Sequence, residues 1–195
     1  MSPLLPLPLQ TKTGQMPFTP TPIGGLMIYD PVVFPDDRGY FFESFNRLRF
    51  GEGGVYTDFV QDNEAKSGYG VLRGLHYQAP PFAQAKLVRV IEGEVLDVVV
   101  DIREHSPTYG QWYGVRLSGD NKRQLFIPRG FAHGYVVLSE TAIFAYKCDN
   151  YYSKAHEGGL SYNDPALGID WEIDPAGIIL SEKDTSWPPF GRHRK

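Results

Sequence analysis

The sequence has few of the features that mark secreted, membrane-spanning or nucleic-acid-binding proteins. It contains one cysteine, Cys148, so no disulfide can form within the chain, and a cytoplasmic location is expected. Lysine and arginine number 19 against 23 acidic residues, and the net charge of −4 argues against a nucleic-acid-binding surface. No apolar run approaches the ~20 residues needed to cross a bilayer, so we predict no membrane segment.

Helical periodicity is also scarce. The exception is residues 43–54, ESFNRLRFGEGG, where we predict one short helix that ends in the glycines. The chain is rich in glycine (21), proline (16), tyrosine (12) and phenylalanine (12), a composition typical of strands joined by tight turns. About ten strand-like segments follow one another between residues 24 and 148. This pattern predicts an all-β fold, a jelly-roll barrel or sandwich with short peripheral helices.

The two ends of the chain differ from this central region. Residues 1–15 begin with MSPLLPLPLQ, which lacks the basic start of a signal peptide and whose prolines break any helix. We interpret these residues as a flexible N-terminal extension and residues 16–195 as a single domain. The segment from about Tyr151 onward contains turn dipeptides and short apolar runs, and we expect it to wrap back over the barrel.

One histidine, His76, stands in the strand-like segment GVLRGLHYQ, and Lys86 follows ten residues later. Cupin-type jelly rolls bind a metal through a His-x-His pair, a later Glu and a distant histidine; here Gln78 replaces the second histidine, and IPRGFAHG supplies only His133. Two imidazoles beside an ammonium make a poor metal site. An imidazole base with a fixed cation suits removal of a proton next to a carbonyl. These residues alone leave that hypothesis open against a hydrogen-bonded core histidine.

Nine segments of the chain decide between these alternatives. In order, they are VFPDDRGYFFESF, QDN, GVLRGLHYQ, AKLVRVIEGEVLDVVVDIR, SPTYGQW, IPRGFAHGY, YKCDNYY, NDPALGIDW and LSEKD. Together they resemble the dTDP-4-dehydrorhamnose 3,5-epimerase family, with the family's spacing, over residues 20–187. The resemblance implies that residues 16–195 form one cupin-like epimerase domain, a jelly-roll barrel.

The resemblance also implies an enzyme, an isomerase that inverts C3 and C5 of dTDP-4-dehydro-6-deoxy-D-glucose to give dTDP-4-dehydro-L-rhamnose. The family acts on a dTDP-4-keto-6-deoxy sugar as a homodimer, without cofactor or metal. Relatives that invert only C3 or only C5 share the same residues, so a mono-epimerase is an alternative. A metal-dependent cupin enzyme that uses His76 and His133, or a non-catalytic sugar-nucleotide-binding module, are further alternatives.

The matching motifs imply four catalytic residues. The histidine of RGLHYQ, His76, would be the base, and the lysine ten residues later, Lys86, would hold the oxyanion. The tyrosine of the YK pair, Tyr146, would be the acid on the opposite face of the sugar. The aspartate of LSEKD, Asp184, would orient and charge the histidine, although Asp164 and Asp170 are rivals by composition.

The same matching implies the substrate-binding residues. Two arginines would hold the pyrophosphate, Arg38 of DDRG and Arg73 of RGLHY, because planar guanidinium groups suit phosphate oxygens. Other matched positions would line the sugar or nucleotide, several of them contributed across a dimer interface: Phe34, Glu43, Gln61, Asn63, His133 and Tyr152. For His133, a structural role is nearly as well supported.

The chain departs from the family pattern at four positions. Ala65 replaces a serine, Tyr135 a phenylalanine, Tyr162 a tryptophan and Glu172 a proline. None of these changes removes an implied catalytic group. Because Tyr135 and Tyr162 carry polar groups that could contact the sugar or base, the exact substrate stays open.

Strand alternation makes two further predictions. In EVLDVVVDI, residues 94–102, the alternation puts Asp97 and Asp101 on the face opposite four of the apolar side chains. In GVLRGLHYQ, Arg73 and His76 are three residues apart, so regular alternation would place them on opposite faces. A β-bulge at Gly74 would re-aim one of them and bring both onto one face; otherwise Arg73 must reach around the barrel rim or into the neighbouring subunit.

Overall fold

The computed structural model describes residues 17–193, in which two antiparallel sheets pack face to face. The first sheet has six strands, in spatial order β1 (Phe18–Pro20), β2 (Met27–Tyr29), β10 (Gln124–Ile127), β7 (Lys86–Glu92), β12 (Thr141–Cys148) and β5 (Gln61–Gly68). The second has five, in the order β13 (Glu157–Gly159), β6 (Leu72–Gln78), β11 (Phe131–Val137), β8 (Glu94–Asp101) and β9 (Trp112–Ser118). The predicted all-β, cupin-like fold is confirmed. The extension predicted for residues 1–15 lies outside the described residues.

The other elements are short. Strands β3 (Phe34–Asp36) and β4 (Gly39–Phe41) form a hairpin that pairs with neither sheet in the part of the chain that the structure describes. One α-helix, α1 (Arg47–Glu52), and two 3-10 turns, Lys154–His156 and Pro175–Gly177, complete the fold. No helix among residues 17–193 is long and apolar enough to cross a membrane.

The core lies between the two sheets. The six-stranded sheet contributes buried side chains such as Val88 and Phe144, and the five-stranded sheet faces them with residues such as Val99 and Leu117. Each such side chain contributes roughly 1.5–3 kcal/mol when it is fully buried. This apolar layer fixes the separation of the sheets, and therefore the distance between groups that project inward from opposite sides.

The outer face of the five-stranded sheet is covered by the C-terminal part of the chain. Leu72, Leu96 and Val98 on the sheet pack against residues that follow Cys148, among them Leu160 and Trp171. Because the sheet is covered on both faces, seven of the eight residues of β8 are buried, Asp97 and Asp101 among them.

Helix α1 lies inside the segment predicted to be helical, residues 43–54, but is shorter than that segment. It starts at Asn46, whose Oδ1 accepts hydrogen bonds from two backbone N–H groups of the first turn, at 3.0 and 3.3 Å. It ends at Gly53. Its buried residue, Phe50, packs over the outer face of the six-stranded sheet.

In β8, Asp97 and Asp101 lie on the face opposite Leu96, Val98 and Val100, as the alternation predicted. Both aspartates are completely buried. Asp101 is held at the end of the strand. Its carboxylate accepts hydrogen bonds from Arg103 Nε and Nη2 (2.8 and 2.7 Å), Ser106 Oγ (2.6 Å) and Thr108 Oγ1 (2.7 Å). Burial raises the pKa of this carboxyl, but the hydrogen bonds outweigh burial and hold the pKa well below its usual range.

Asp101 should therefore stabilise the fold in a pH-dependent way. Since its folded pKa lies below the unfolded value of ~3.9, its stabilisation is complete above that value and is lost as the pH falls. We expect Asp101→Asn to lower the free energy of unfolding by about 2 kcal/mol at pH 7 and by less at pH 3, which lies between the folded and unfolded pKa values, so that part of the stabilisation has been lost.

Urea denaturation at both pH values measures this difference. The control is Asp58→Asn, because Asp58 forms an exposed ion pair with Arg47 and its replacement should have little effect. An equal loss for Asp101→Asn at pH 7 and pH 3 would contradict the assigned role.

Candidate active site

A cavity between the sheets contains most of the residues singled out in the sequence. It consists of two adjoining chambers of about 280 and 290 Å³. Four side chains line both chambers: His76, Lys86, Tyr146 and Glu157. Three of the four predicted catalytic residues thus meet at the junction, and the fourth, Asp184, lines the first chamber.

The junction is built from both sheets. His76 projects from β6 of the five-stranded sheet, whereas Lys86 and Tyr146 project from β7 and β12 of the six-stranded sheet. Tyr146 is aligned with Val88, two residues after Lys86, so the lysine and the tyrosine point to the same side. The Lys86 ammonium lies 5.7 Å from the centre of the Tyr146 ring. The histidine therefore faces the lysine and tyrosine across the cavity.

His76 is oriented by a carboxylate from the C-terminal segment. Its Nε2 forms a short hydrogen bond with Asp184 Oδ1. Asp184 is 3% exposed and also accepts hydrogen bonds from Ser181 Oγ (2.8 Å) and Trp187 Nε1 (3.3 Å). Burial raises the pKa of Asp184, but the bond to His76 and the other donors outweigh burial and leave the pKa below its ordinary value. The carboxylate thus stays charged beside the imidazole.

The two rival aspartates lie in turns away from His76. Asp164 accepts hydrogen bonds from backbone N–H groups, at 2.8 Å from Ala166 and 2.5 Å from Phe190. Asp170 accepts one from the backbone of Glu172. The structure therefore brings Asp184, and neither rival, to the imidazole.

A β-bulge brings Arg73 and His76 to the same chamber. On β11, His133 is aligned with His76 and Tyr135 with Arg73, so a three-residue step on β6 faces a two-residue step on β11. The extra residue falls at Gly74, where φ is +147°, a conformation that favours glycine. Arg73 and His76 both line the first chamber, which confirms the predicted bulge.

Lys86 is a partly buried cation that lines both chambers without a counter-charge in direct contact. Burial lowers the pKa of its ammonium, and Cys148, Asp97 and Glu157 partly offset this from a distance. Within residues 17–193, its Nζ makes no hydrogen bond or ion pair. Such a group is best matched by a negative oxygen that enters or develops in the cavity. Burial also raises the pKa of Tyr146 to about 12, so its hydroxyl carries a proton at neutral pH.

A second imidazole–carboxylate pair lies in the first chamber. His133 Nε2 is 2.9 Å from Asp97 Oδ2, and both residues are buried. Burial lowers the pKa of His133, although Asp97 acts in the opposite direction. In the described part of the chain, no group of three His, Cys, Asp or Glu side chains converges as a metal site would require. Each cavity histidine is bonded to a carboxylate.

Three charged residues in or beside the cavity, Glu157, Lys183 and Asp97, were not assigned a role there from the sequence. Glu157 accepts hydrogen bonds from Lys183 Nζ (2.8 Å) and from the hydroxyl of Tyr152 (3.1 Å), so it links both chambers. Lys183 directly precedes Asp184 in the LSEKD segment, which was a usable signal. For Asp97, the alternation of apolar and acidic residues in β8 could have indicated an inward-facing carboxylate. The sequence of the three-residue strand that begins with Glu157 contains no pattern that would have indicated its place in the cavity.

Five of the eight predicted substrate-binding residues line the cavity. Gln61, Asn63 and Tyr152 line the second chamber, where Gln61 Nε2 donates to Asn63 Oδ1 at 3.0 Å. His133 and Arg73 line the first chamber.

The remaining three residues, Phe34, Arg38 and Glu43, line neither chamber. The Arg38 side chain is 90% exposed and forms a 2.6 Å ion pair with Asp36 within the β3–β4 hairpin, and Phe34 is 55% exposed. Glu43 bonds to Asn46 and Arg49 beside α1. One copy of the chain therefore does not bring these side chains to its own cavity.

Comparison with known proteins gives one consistent result. Residues 20–192 match the family model described as dTDP-4-dehydrorhamnose 3,5-epimerase. A curated protein of that name from Shigella flexneri is 53% identical over 87% of this chain and 93% of its own length. A solved dTDP-4-dehydrorhamnose 3,5-epimerase from Elizabethkingia anophelis is 56% identical, with a TM-score of 0.85 over 89% of this chain and 95% of that one.

A structure with a bound sugar nucleotide is also similar. The dTDP-6-deoxy-D-glucose-3,5-epimerase of Legionella pneumophila, solved with dTDP-4-keto-L-rhamnose, is 51% identical. Its TM-score is 0.85, over 88% of this chain and 91% of that one.

Proposed function

The chain belongs to the dTDP-4-dehydrorhamnose 3,5-epimerase family and is an isomerase, and we propose that it inverts C3 and C5 of dTDP-4-dehydro-6-deoxy-D-glucose by proton exchange at the junction of the two chambers. One observation carries the mechanism. The base and the acid project from opposite sheets, so a sugar between them loses a proton on one face and gains one on the other. Exchange on a single face would return the original sugar.

His76 is the base in this proposal. Asp184 holds its Nε2, so the other ring nitrogen is left to take a proton from the sugar, and the carboxylate stabilises the imidazolium that forms. Both C3 and C5 lie next to the C4 carbonyl. Removal of a proton from either carbon gives an enolate that places its charge on the same oxygen.

Lys86 stabilises that oxygen. Its ammonium has no carboxylate in direct contact, so the charge that develops on the C4 oxygen can be its principal partner. One preorganised interaction of this kind lowers a barrier by about 3 kcal/mol in a dry site.

Tyr146 returns a proton from the opposite face. Its raised pKa keeps it protonated until the carbanion forms, and its position beside Lys86 keeps the acid near the charged oxygen. Proton exchange with water then restores both His76 and Tyr146.

We also propose that the enzyme works as a homodimer in the cytoplasm. The β3–β4 hairpin exposes Phe34, Tyr40 and Phe41 and, among the described residues, pairs with no other strand. Contact with a second subunit would cover these rings and carry Arg38 to that subunit's cavity. Cys148, the one cysteine of the sequence, is buried and is suited to a reducing compartment.

His76→Asn should abolish activity, because it removes the base. With dTDP-4-keto-6-deoxyglucose in deuterated water, we expect incorporation of deuterium at C3 and C5 to fall by about 10³-fold, measured by NMR. The matched control is His105→Asn, an exposed histidine outside the cavity, which should exchange at the wild-type rate. Exchange that survives His76→Asn would refute the mechanism. Exchange at one carbon only, in the wild type, would establish a mono-epimerase.

Tyr146→Phe should separate exchange from inversion. His76 can still remove and return protons on its own face, so we expect deuterium exchange to fall by less than the rate of formation of inverted sugar, which should drop by about 10²-fold. Both rates can be followed in one NMR time course. An equal fall in the two rates would argue against Tyr146 as the opposite-face acid.

Mixed dimers should show whether the hairpin serves a neighbouring site. Arg38→Ala and His76→Asn should each be nearly inactive alone. After random exchange of subunits at a 1:1 ratio, about a quarter of the sites would combine an intact His76 with an intact Arg38 from the other subunit. Recovery of about that share of wild-type activity supports the proposal. No recovery, with mixed dimers present by mass spectrometry, would show that Arg38 does not act across the interface.

A further inference from the structure

Tyr135 is held rigidly in the wall of the first chamber. It lies on β11, is 5% exposed, and stacks on Phe144 with ring centres 4.1 Å apart and planes 15° apart. Phe144 in turn lies on β12, two residues before Tyr146. The ring of Tyr135 is therefore fixed by packing between the two sheets, and a phenylalanine could make the same stacking contact.

The hydroxyl of Tyr135 takes no part in the stacking contact with Phe144. Its oxygen is buried and has no hydrogen-bond partner within residues 17–193. Ser67 and Arg73 lie beside it as donors and lower its pKa, against the larger effect of burial, but neither completes a hydrogen bond of normal geometry to it, and Arg73 Nε donates to Ser67 Oγ, at 3.1 Å. A buried hydroxyl without a hydrogen-bond partner destabilises the free protein. We therefore expect a bound ligand to supply the missing partner.

The surroundings indicate what that partner is. Tyr135 lines the same chamber as Arg73, His76 and Lys86. Arg73 has no carboxylate partner in the described residues, and its one hydrogen bond there goes to Ser67 Oγ, so the other guanidinium N–H groups and the Tyr135 hydroxyl can both donate to a ligand in the chamber. An oxygen atom that is negative or strongly polar would satisfy both.

We propose that the Tyr135 hydroxyl donates a hydrogen bond to an acceptor oxygen of the sugar nucleotide beside Arg73. This inference rests on the proposed function, because it takes the cavity to be the sugar-nucleotide site. The acceptor belongs either to the diphosphate or to the sugar, and the ligands used below distinguish the two. Since the related sequences usually have phenylalanine here, this contact would distinguish the present chain within its family.

Tyr135→Phe tests the proposal, because it removes one oxygen and keeps the ring. Binding is measured by calorimetry with dTDP and with dTDP-quinovose, which lacks the ketone and does not react. If the acceptor is a phosphate oxygen, both ligands should bind about 10- to 100-fold more weakly. If it is a sugar oxygen, only dTDP-quinovose should weaken, by about 3- to 10-fold. Affinities for both ligands within twofold of wild type would overturn the proposal.

The free variant provides a second test. Because the hydroxyl has no internal partner, Tyr135→Phe should melt at the same temperature as the wild type or higher. A clearly lower melting temperature, or failure to fold, would show that the protein itself satisfies the hydroxyl and would overturn the proposal.

Tyr162→Phe is the matched control. Tyr162 is the other tyrosine at which the chain departs from its family, and it packs against the C-terminal cluster outside both chambers. Its replacement should leave both affinities unchanged, and a loss equal to that of Tyr135→Phe would remove the specificity of the result. If the wild type binds neither ligand, the proposed function fails. If the wild type binds and Tyr135→Phe binds equally well, only this inference fails.

Discussion

The hydrogen bond between His76 and Asp184 joins parts of the chain that are 108 residues apart. Asp184 reaches the imidazole only because the C-terminal segment packs over the outer face of the five-stranded sheet, with Leu160 and Trp171 among its anchors. The apolar contacts that hold this segment in place therefore also position the carboxylate that orients His76, the proposed base. Stability and chemistry depend on the same packing.

The charges around the cavity are arranged unevenly. Each histidine is bonded to a buried carboxylate, His76 to Asp184 and His133 to Asp97, whereas the Lys86 ammonium is left without a direct partner. Burying charge in this way costs free energy that ordinary core packing would avoid. That cost is understandable where a reaction transiently creates a negative oxygen, because donors that are already in place need no reorganisation when the charge appears.

Local patterns in the sequence predicted much of the fold. The extent of β8, the presence of one short helix within residues 43–54, and the bulge at Gly74 all follow from alternation and from the positions of glycines. The identities of the proposed catalytic residues were inferred from resemblance, since periodicity cannot say which aspartate meets His76. Glu157 could not be foreseen, because its place in the cavity depends on long-range pairing of a three-residue strand with β6. Arg38 shows the complementary limit, since one chain does not bring it to its own cavity.

The proposed base and the proposed acid stand on different sheets, and the side chains of Val88, Val99 and Phe144 pack between those sheets. A change of one methyl group in this packing would alter the gap between His76 and Tyr146 without touching either of them. In the proposed mechanism, the stereochemical outcome therefore depends on how the interior is packed: too wide a gap would favour return of hydrogen to the side it left, and the sugar would keep its original handedness while still exchanging with water.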